Sequence, residues 1–140
     1  YSVTIDYGLK ISEMIDAGRY DWQNDDINER NFPVKSKGVI ETKLVLVHLN
    51  KMASTAEVEA ELERWGLRAT TLEELLAFGA SYPDEVQREF PVLALGSSWV
   101  DPAGRRYVPC LRRFGSERRL FLEWDSCHWR VHCRFLAVRK

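Results

Sequence analysis

The period of the hydrophobic pattern changes at Pro91, and this change does most to limit how the chain can fold. Before the proline, two stretches place apolar residues at helical spacing behind capping boxes; after it come short strand-like runs separated by Gly and Pro. In "STAEVEAELERWG", Ser54 and Glu57 fit the S-x-x-E box, Val58, Leu62 and Trp65 make the apolar stripe, and Gly66 supplies a left-handed stop. In "TLEELLAFGA", Thr71 and Glu74 repeat the box, and Leu72, Leu75, Leu76 and Phe78 bury one side before Gly79. A short helical turn is expected from Pro83.

Upstream, "SVTIDY" reads as a strand and "GLKISEMIDAGRY" as a helix carrying Leu9, Met14 and Ile15 and stopping at Gly18. "GVIETKLVLVHL" alternates and reads as a mostly buried strand. Past Pro91, "VLAL", "RRYVPCL", "RLFLEW" and "HWRVHCRFLAV" are strands, separated by "SSWVDPAG", "RRFGSE" and "DSC". The expectation is one α+β domain over 1–140, a helix-rich scaffold half (1–91) followed by a strand-rich half (92–140). Its two amphipathic helices should pack on a small antiparallel sheet, with Trp65, Leu75, Leu76, Phe78, Leu93, Leu95 and Phe135 in the core.

With 140 residues the chain can bury a core without disulfides or a structural metal. No run approaches the length of a membrane span, so no membrane partner is expected. Cys110, Cys127 and Cys133 are odd in number and form no CxxC pair, and no apolar signal segment is present, which points to a reducing, cytoplasmic setting. A start at Tyr1 rather than Met is compatible with a removed leader.

The net charge of −1 conceals an asymmetry: residues 1–96 hold 10 Lys+Arg against 17 Asp+Glu, and residues 97–140 hold 10 against 4. Between Lys51 and Lys140 every cation is an arginine, a residue that offers a planar fork of donors and stacks on rings. Arginines interleaved with Tyr107, Phe114, Phe121, Trp124, Trp129 and Phe135 suit a recognition surface, for a protein or, as the alternative, for nucleic acid.

"WDSCHWRVHCRFLAVRK" tests the chemical options. As one strand from Cys127 to Val138, it would put the cysteines on one face with Trp129, Val131 and Phe135, and the histidines on the other with Arg130 and Arg134. His128 and His132 would then lie roughly 13 Å apart, too far for a single zinc. The acidic loop "YDWQNDDINERNFP" lacks the glycine and glutamate of a calcium-binding EF-hand and reads as an ordered, solvated loop. "GSSW" is no nucleophile elbow, Cys110 reads as a core residue, and no phosphate-cradling glycine motif occurs. The expectation is a protein without enzymatic activity, metal or cofactor.

"YDW…NDDI…FP", "LLAFG", "ALGS", "FGSERRL" and "RFLAVRK" resemble stretches of small bacterial proteins. The last half is similar to the variable region of target proteins of diversity-generating retroelements, whose scaffold is C-type-lectin-like. In that family, adenine-directed mutagenesis yields residue sets that exclude Trp, Lys, Gln, Glu and Met. No Lys, Gln or Met occurs from Gly96 to Arg139. The resemblance implies a diversified ligand-binding surface made of Ser97, Ser98, Asp101, Arg105, Arg106, Arg112, Arg113, Phe114, Ser116, Arg118, Arg119, Phe121, Ser126, Cys127, His128, Arg130, Val131 and His132. Cys133 is also a permitted type, while Trp124 and Trp129 would be fixed scaffold positions. Phe114, Arg118, Arg130 and His132 are expected to contribute most to binding an as yet unnamed macromolecule. The Gly-Phe-Arg strand common in that family is replaced by Arg134-Phe135 in reverse order. No calcium-dependent sugar site is implied, because the Glu-Pro-Asn element is missing.

Overall fold

The computed structural model of the chain describes residues 1–86, 88–126 and 128–140. The elements run β1 (Ser2–Asp6), α1 (Ile11–Gly18), β2 (Trp22–Gln23), β3 (Val39–Val47), α2 (Thr55–Arg64), β4 (Leu67–Ala69), α3 (Leu72–Ser81) and α4 (Pro83–Val86). They continue with β5 (Val92–Leu93), β6 (Trp99–Val100), β7 (Arg106–Phe114), β8 (Glu117–Trp124) and β9 (Arg134–Arg139). The class is α+β, as the change of period at Pro91 implies.

Both capping boxes form. The Ser54 hydroxyl accepts from the Glu57 N–H at 3.1 Å while Glu57 accepts from the Ser54 N–H, and Thr71 and Glu74 exchange the same pair of bonds. Glu74 is buried as well, and the Arg68 guanidinium meets its carboxylate with two bonds of 3.0 and 2.9 Å. Helix α3 runs on through Gly79 to Ser81 rather than stopping at the glycine.

The sheet is larger than expected, and mixed. Its order is β1-β3-β9-β5-β7-β8-β2, with β4 also pairing β9 and β6 also pairing β7. Most pairs are antiparallel, but β5 lies parallel to β9, and β2 parallel to β8. The N-terminal half therefore supplies edge and near-edge strands, and a small antiparallel sheet confined to residues after Pro91 is not what forms. The reason lies in "RFLAV": with Phe135, Leu136, Ala137 and Val138 all buried, β9 needs partners on both edges and cover on both faces.

That cover comes from two clusters. Leu136, Val138, Val92, Ala94, Leu111 and Leu120 face α1 and α3, where Ile11, Met14, Ile15, Leu72, Leu75, Leu76 and Phe78 close the larger core. Phe135, Ala137, Leu93, Leu95, Val108 and Cys110 face the other way, against Val58 and Leu62 of α2 and against Trp129 and Cys133. Each fully buried leucine or phenylalanine adds about 2 kcal/mol of transfer free energy.

Three packing expectations fail. Trp65 is 51% exposed because the chain leaves the helix there and turns through Gly66 at a φ of 69°; Leu67, on β4, takes the third place in the stripe. Strand β3 is not mostly buried: Val39 and Ile40 are exposed, and Leu44 and Val47 alone are fully covered, since only the second half of β3 lies beside β9. The strand expected from Cys127 to Val138 begins only at Arg134, because Trp129 instead forms an isolated bridge with Ala53 at the entrance to α2.

Candidate functional site

Residues 125–126 and 128–133, called the distal loop here, are held by one tryptophan. The Trp129 N–H donates to the Ala53 carbonyl at 2.7 Å, its own carbonyl accepts from the Ala53 N–H at 3.2 Å, and its indole N–H donates to the Thr55 hydroxyl at 3.0 Å. That hydroxyl donates onward to Asp125 at 2.8 Å, which ties the start of the loop to the same point. The Cys133 N–H closes a turn on the Arg130 carbonyl, and the His48 ring bonds the Val131 carbonyl at 2.8 Å. Trp129 and Cys133 are buried between these contacts, whereas His128, Arg130, Val131 and His132 are exposed. The backbone is fixed while the side chains point outward, which is the arrangement a preorganised contact loop requires.

Under the loop lies a cleft of about 440 Å³. Pro91, Leu93, Trp129 and Cys133 make its apolar part; Arg112, Glu123, Ser126, His128, Arg130 and His132 bring polar groups to it. Of the residues expected to form the site, Arg112, Ser126, His128, Arg130 and His132 thus come together here. A shallower recess of about 210 Å³ continues past His132 and shares Pro91, Arg112 and His132 with the cleft.

Arg112 also opens a second feature, at the exposed end of the β7–β8 face whose other end, at Val108 and Cys110, closes the second core. The register opposes Arg112 to Arg119 and Cys110 to Phe121, so these side chains share a face with Phe114 and Glu123. The Arg112 guanidinium lies 4.8 Å from the Phe114 ring centre, and Arg119 lies 4.9 Å from Phe114 and 5.7 Å from Trp22. Trp22 packs on Phe121 at 4.9 Å, and Phe114 packs on Phe121 at 5.2 Å. The result is a ladder of two arginines and three rings, with Trp22 and Phe114 more than two-fifths exposed.

Trp22 was no expected site residue, since only the parallel pairing of β2 with β8, nearly a hundred residues downstream, brings it there. Glu123, by contrast, shares strand parity with Arg119 and Phe121 and could have been read from the alternation. It pairs with Arg112 at 3.0 Å.

Arg118 lies elsewhere and is a correction. It is 8% exposed, on the inner face of β8 with Leu120, and reaches under α1 and α3. Its guanidinium donates to the Gly18 carbonyl at 2.7 Å and to the Gly79 carbonyl at 3.0 Å, while its backbone N–H donates to the Asp21 carboxylate at 2.7 Å. It thereby satisfies the C-terminal end of α1, which has no basic residue in its last turn. The Tyr20 ring, 5.1 Å from the Arg118 guanidinium, is pressed against Gly18 and Gly79, and a Cβ at either glycine would collide with it. Burial pushes the Tyr20 hydroxyl well above the ordinary phenol range.

The other expected residues scatter. The Ser97 hydroxyl accepts from the Leu72 N–H at 2.8 Å and so serves the start of α3; Ser98 lies beside it in a recess with Asn31 and Glu73, away from the cleft. Asp101 accepts from the N–H groups of Ala103 and Arg105, holding the β6–β7 turn. Arg105 stacks over Trp124 at 5.3 Å, Arg106 is exposed opposite Val100, Arg113 pairs with Glu89 at 3.1 Å, and Ser116 is exposed at the hairpin turn. Cys127 lies outside the described residues. The "YDWQ" loop is ordered, but two of its carboxylates do structural work: Asp21 on Arg118, and Glu29 on the Ser12 N–H in the first turn of α1.

Cys110 and Cys133 are both buried in the second core, and desolvation raises both thiols. Among the described residues, no three His, Cys, Asp or Glu side chains converge where an ion could be held, and no helix is long and apolar enough to cross a membrane. Comparison with known protein families, curated proteins and solved structures finds no match to this chain.

Proposed function

We propose that the chain is a binding protein without enzymatic activity, which presents the distal loop and the exposed arginine–ring end of the β7–β8 hairpin to a macromolecule, a protein rather than a nucleic acid. The observation that carries this is the contrast at Trp129: a tryptophan fixed through backbone, indole and core contacts, flanked by four exposed side chains. A scaffold of this kind tolerates substitution at the exposed positions with little loss of stability.

The resemblance to variable proteins of diversity-generating retroelements, with their C-type-lectin-like scaffold, is part of the proposal. Trp129 suits a fixed position, and Ser126, His128, Arg130, Val131 and His132 suit diversified ones. Arg118, Ser97 and Asp101 belong with the scaffold instead. Two buried free thiols suit a reducing compartment such as the cytoplasm.

Two tests apply. Sequencing beside the gene should find a near-copy of its 3′ end that differs mainly at adenines, together with a reverse-transcriptase frame; absence of both removes the retroelement reading. A library randomised at the five loop positions should melt, for most members, within roughly 2 °C of the parent. General loss of folding would refute display by this loop.

Nucleic acid is the second reading, favoured by the ring and arginine ladder. Against it, Arg112, Arg113 and Arg119 each already hold a carboxylate, and Arg118 is buried. The local surface therefore carries less free positive charge than the composition suggests. Binding to single-stranded oligonucleotides that falls steeply with salt would restore this reading.

A further inference from the structure

We infer that the cleft under the distal loop receives an extended acidic segment of a protein partner, whose carboxylates meet Arg130 and the imidazoles of His128 and His132. The inference rests on the reading of this face as a binding face and adds the chemistry of what binds.

Charge complementarity carries it. The carboxylates around the cleft and the adjoining recess each have a partner: Glu123 is paired with Arg112, the largely exposed Glu89 with Arg113, Asp125 accepts from Thr55, and Glu57, beside His128, is folded back onto the Ser54 N–H. Arg130, in contrast, has no ion pair among the described residues and lines the cleft with both imidazoles. A guanidinium without a carboxylate partner in its own chain favours a ligand carboxylate that can accept two bonds from its fork.

Shape selects a segment over a small anion. The 440 Å³ cleft runs on into the 210 Å³ recess beside Arg113 and Gly115, so the two make an elongated track with Arg112 and His132 at the junction. The apolar floor at Pro91 and Leu93 suits the methylenes of a glutamate-bearing peptide.

The experiment is a calorimetric titration of the intact chain with three probes: a blocked hexaglutamate peptide, the matching hexaglutamine peptide, and a short oligothymidylate. The expected result is binding of hexaglutamate alone, weakened about tenfold or more in Arg130→Glu and unchanged in Arg139→Glu, a substitution on the far end of β9. Equal binding of hexaglutamine, no effect of Arg130→Glu, tighter binding of the oligothymidylate, or no binding of hexaglutamate would each overturn the inference. The loop library separates the two levels: if hexaglutamate fails while the library keeps its melting temperature, the acidic segment is wrong and the display reading stands. If the library loses its fold, the display reading itself falls.

Discussion

Arg118 and Arg130 are the same residue type in the same basic third of the chain, yet one holds the molecule together and the other is free to meet a partner. Arg118 sits under α1 and α3 and donates to the Gly18 and Gly79 carbonyls; Arg130 projects from a loop whose backbone is bonded to Ala53 and His48 and whose Trp129 indole is held by Thr55. The difference is one of surroundings. A guanidinium becomes structural where helix ends leave carbonyls without partners, and becomes a contact group where the main chain needs nothing from it.

Substitution should separate the two regions in order of effect. Arg118→Ala leaves two buried carbonyls without donors and a void beside Tyr20, and should cost about 3 kcal/mol, or roughly a 10 °C fall in Tm on thermal unfolding. Arg118→Lys should recover little, because one ammonium cannot span carbonyls on two helices as the fork does. If Arg118→Ala melts like the parent, the distinction between the two arginines collapses.

Gly79→Ala comes next: the new methyl would collide with the Tyr20 hydroxyl, and overpacking of this kind costs about 2 kcal/mol, measurable by denaturant unfolding. Thr55→Val tests the distal loop. Removing the hydroxyl between the Trp129 indole and Asp125 should cost about 1 kcal/mol, and should speed exchange of the Trp129 indole proton with solvent more than exchange in α3. Exchange that rises equally in both places would mean that the loop is not an independently held element. Arg130→Ala should be the mildest, within about 0.5 kcal/mol of the parent, and a large loss of Tm there would make Arg130 a scaffold residue like Arg118.

Some of the contrast was legible in the sequence. In "RRLFL", Arg118 has the parity of Leu120 and Leu122, so alternation alone places it on the inner face, a signal that residue type obscured. The capped helices and the buried positions Leu75, Leu76 and Phe78 are readable because caps and helical stripes depend on neighbours three or four residues away, and Leu93, Leu95 and Phe135 because strand alternation depends on neighbours two residues away. The candidate site was readable only in part. Arg112, Ser126, His128, Arg130 and His132 were named and do meet at the cleft, while Trp22, Thr55 and Asp125 were not named, because their partners lie 70 to 100 residues away along the chain.

By itself, then, the sequence determined the helices with their capping boxes, the hairpin strands, and the parity within that hairpin. These follow from hydrogen bonds and steric preferences between residues close along the chain. Only the tertiary structure decided that β5 pairs parallel with β9 at the centre of the sheet, that Ala53 captures Trp129 before a strand can start, and that Tyr20 draws Gly18 and Gly79 together over Arg118. The reason is that exposure belongs to what is packed against a side chain. Alternation gives the face on which Arg118 lies, but not which helix ends will come to rest there with carbonyls for it to meet.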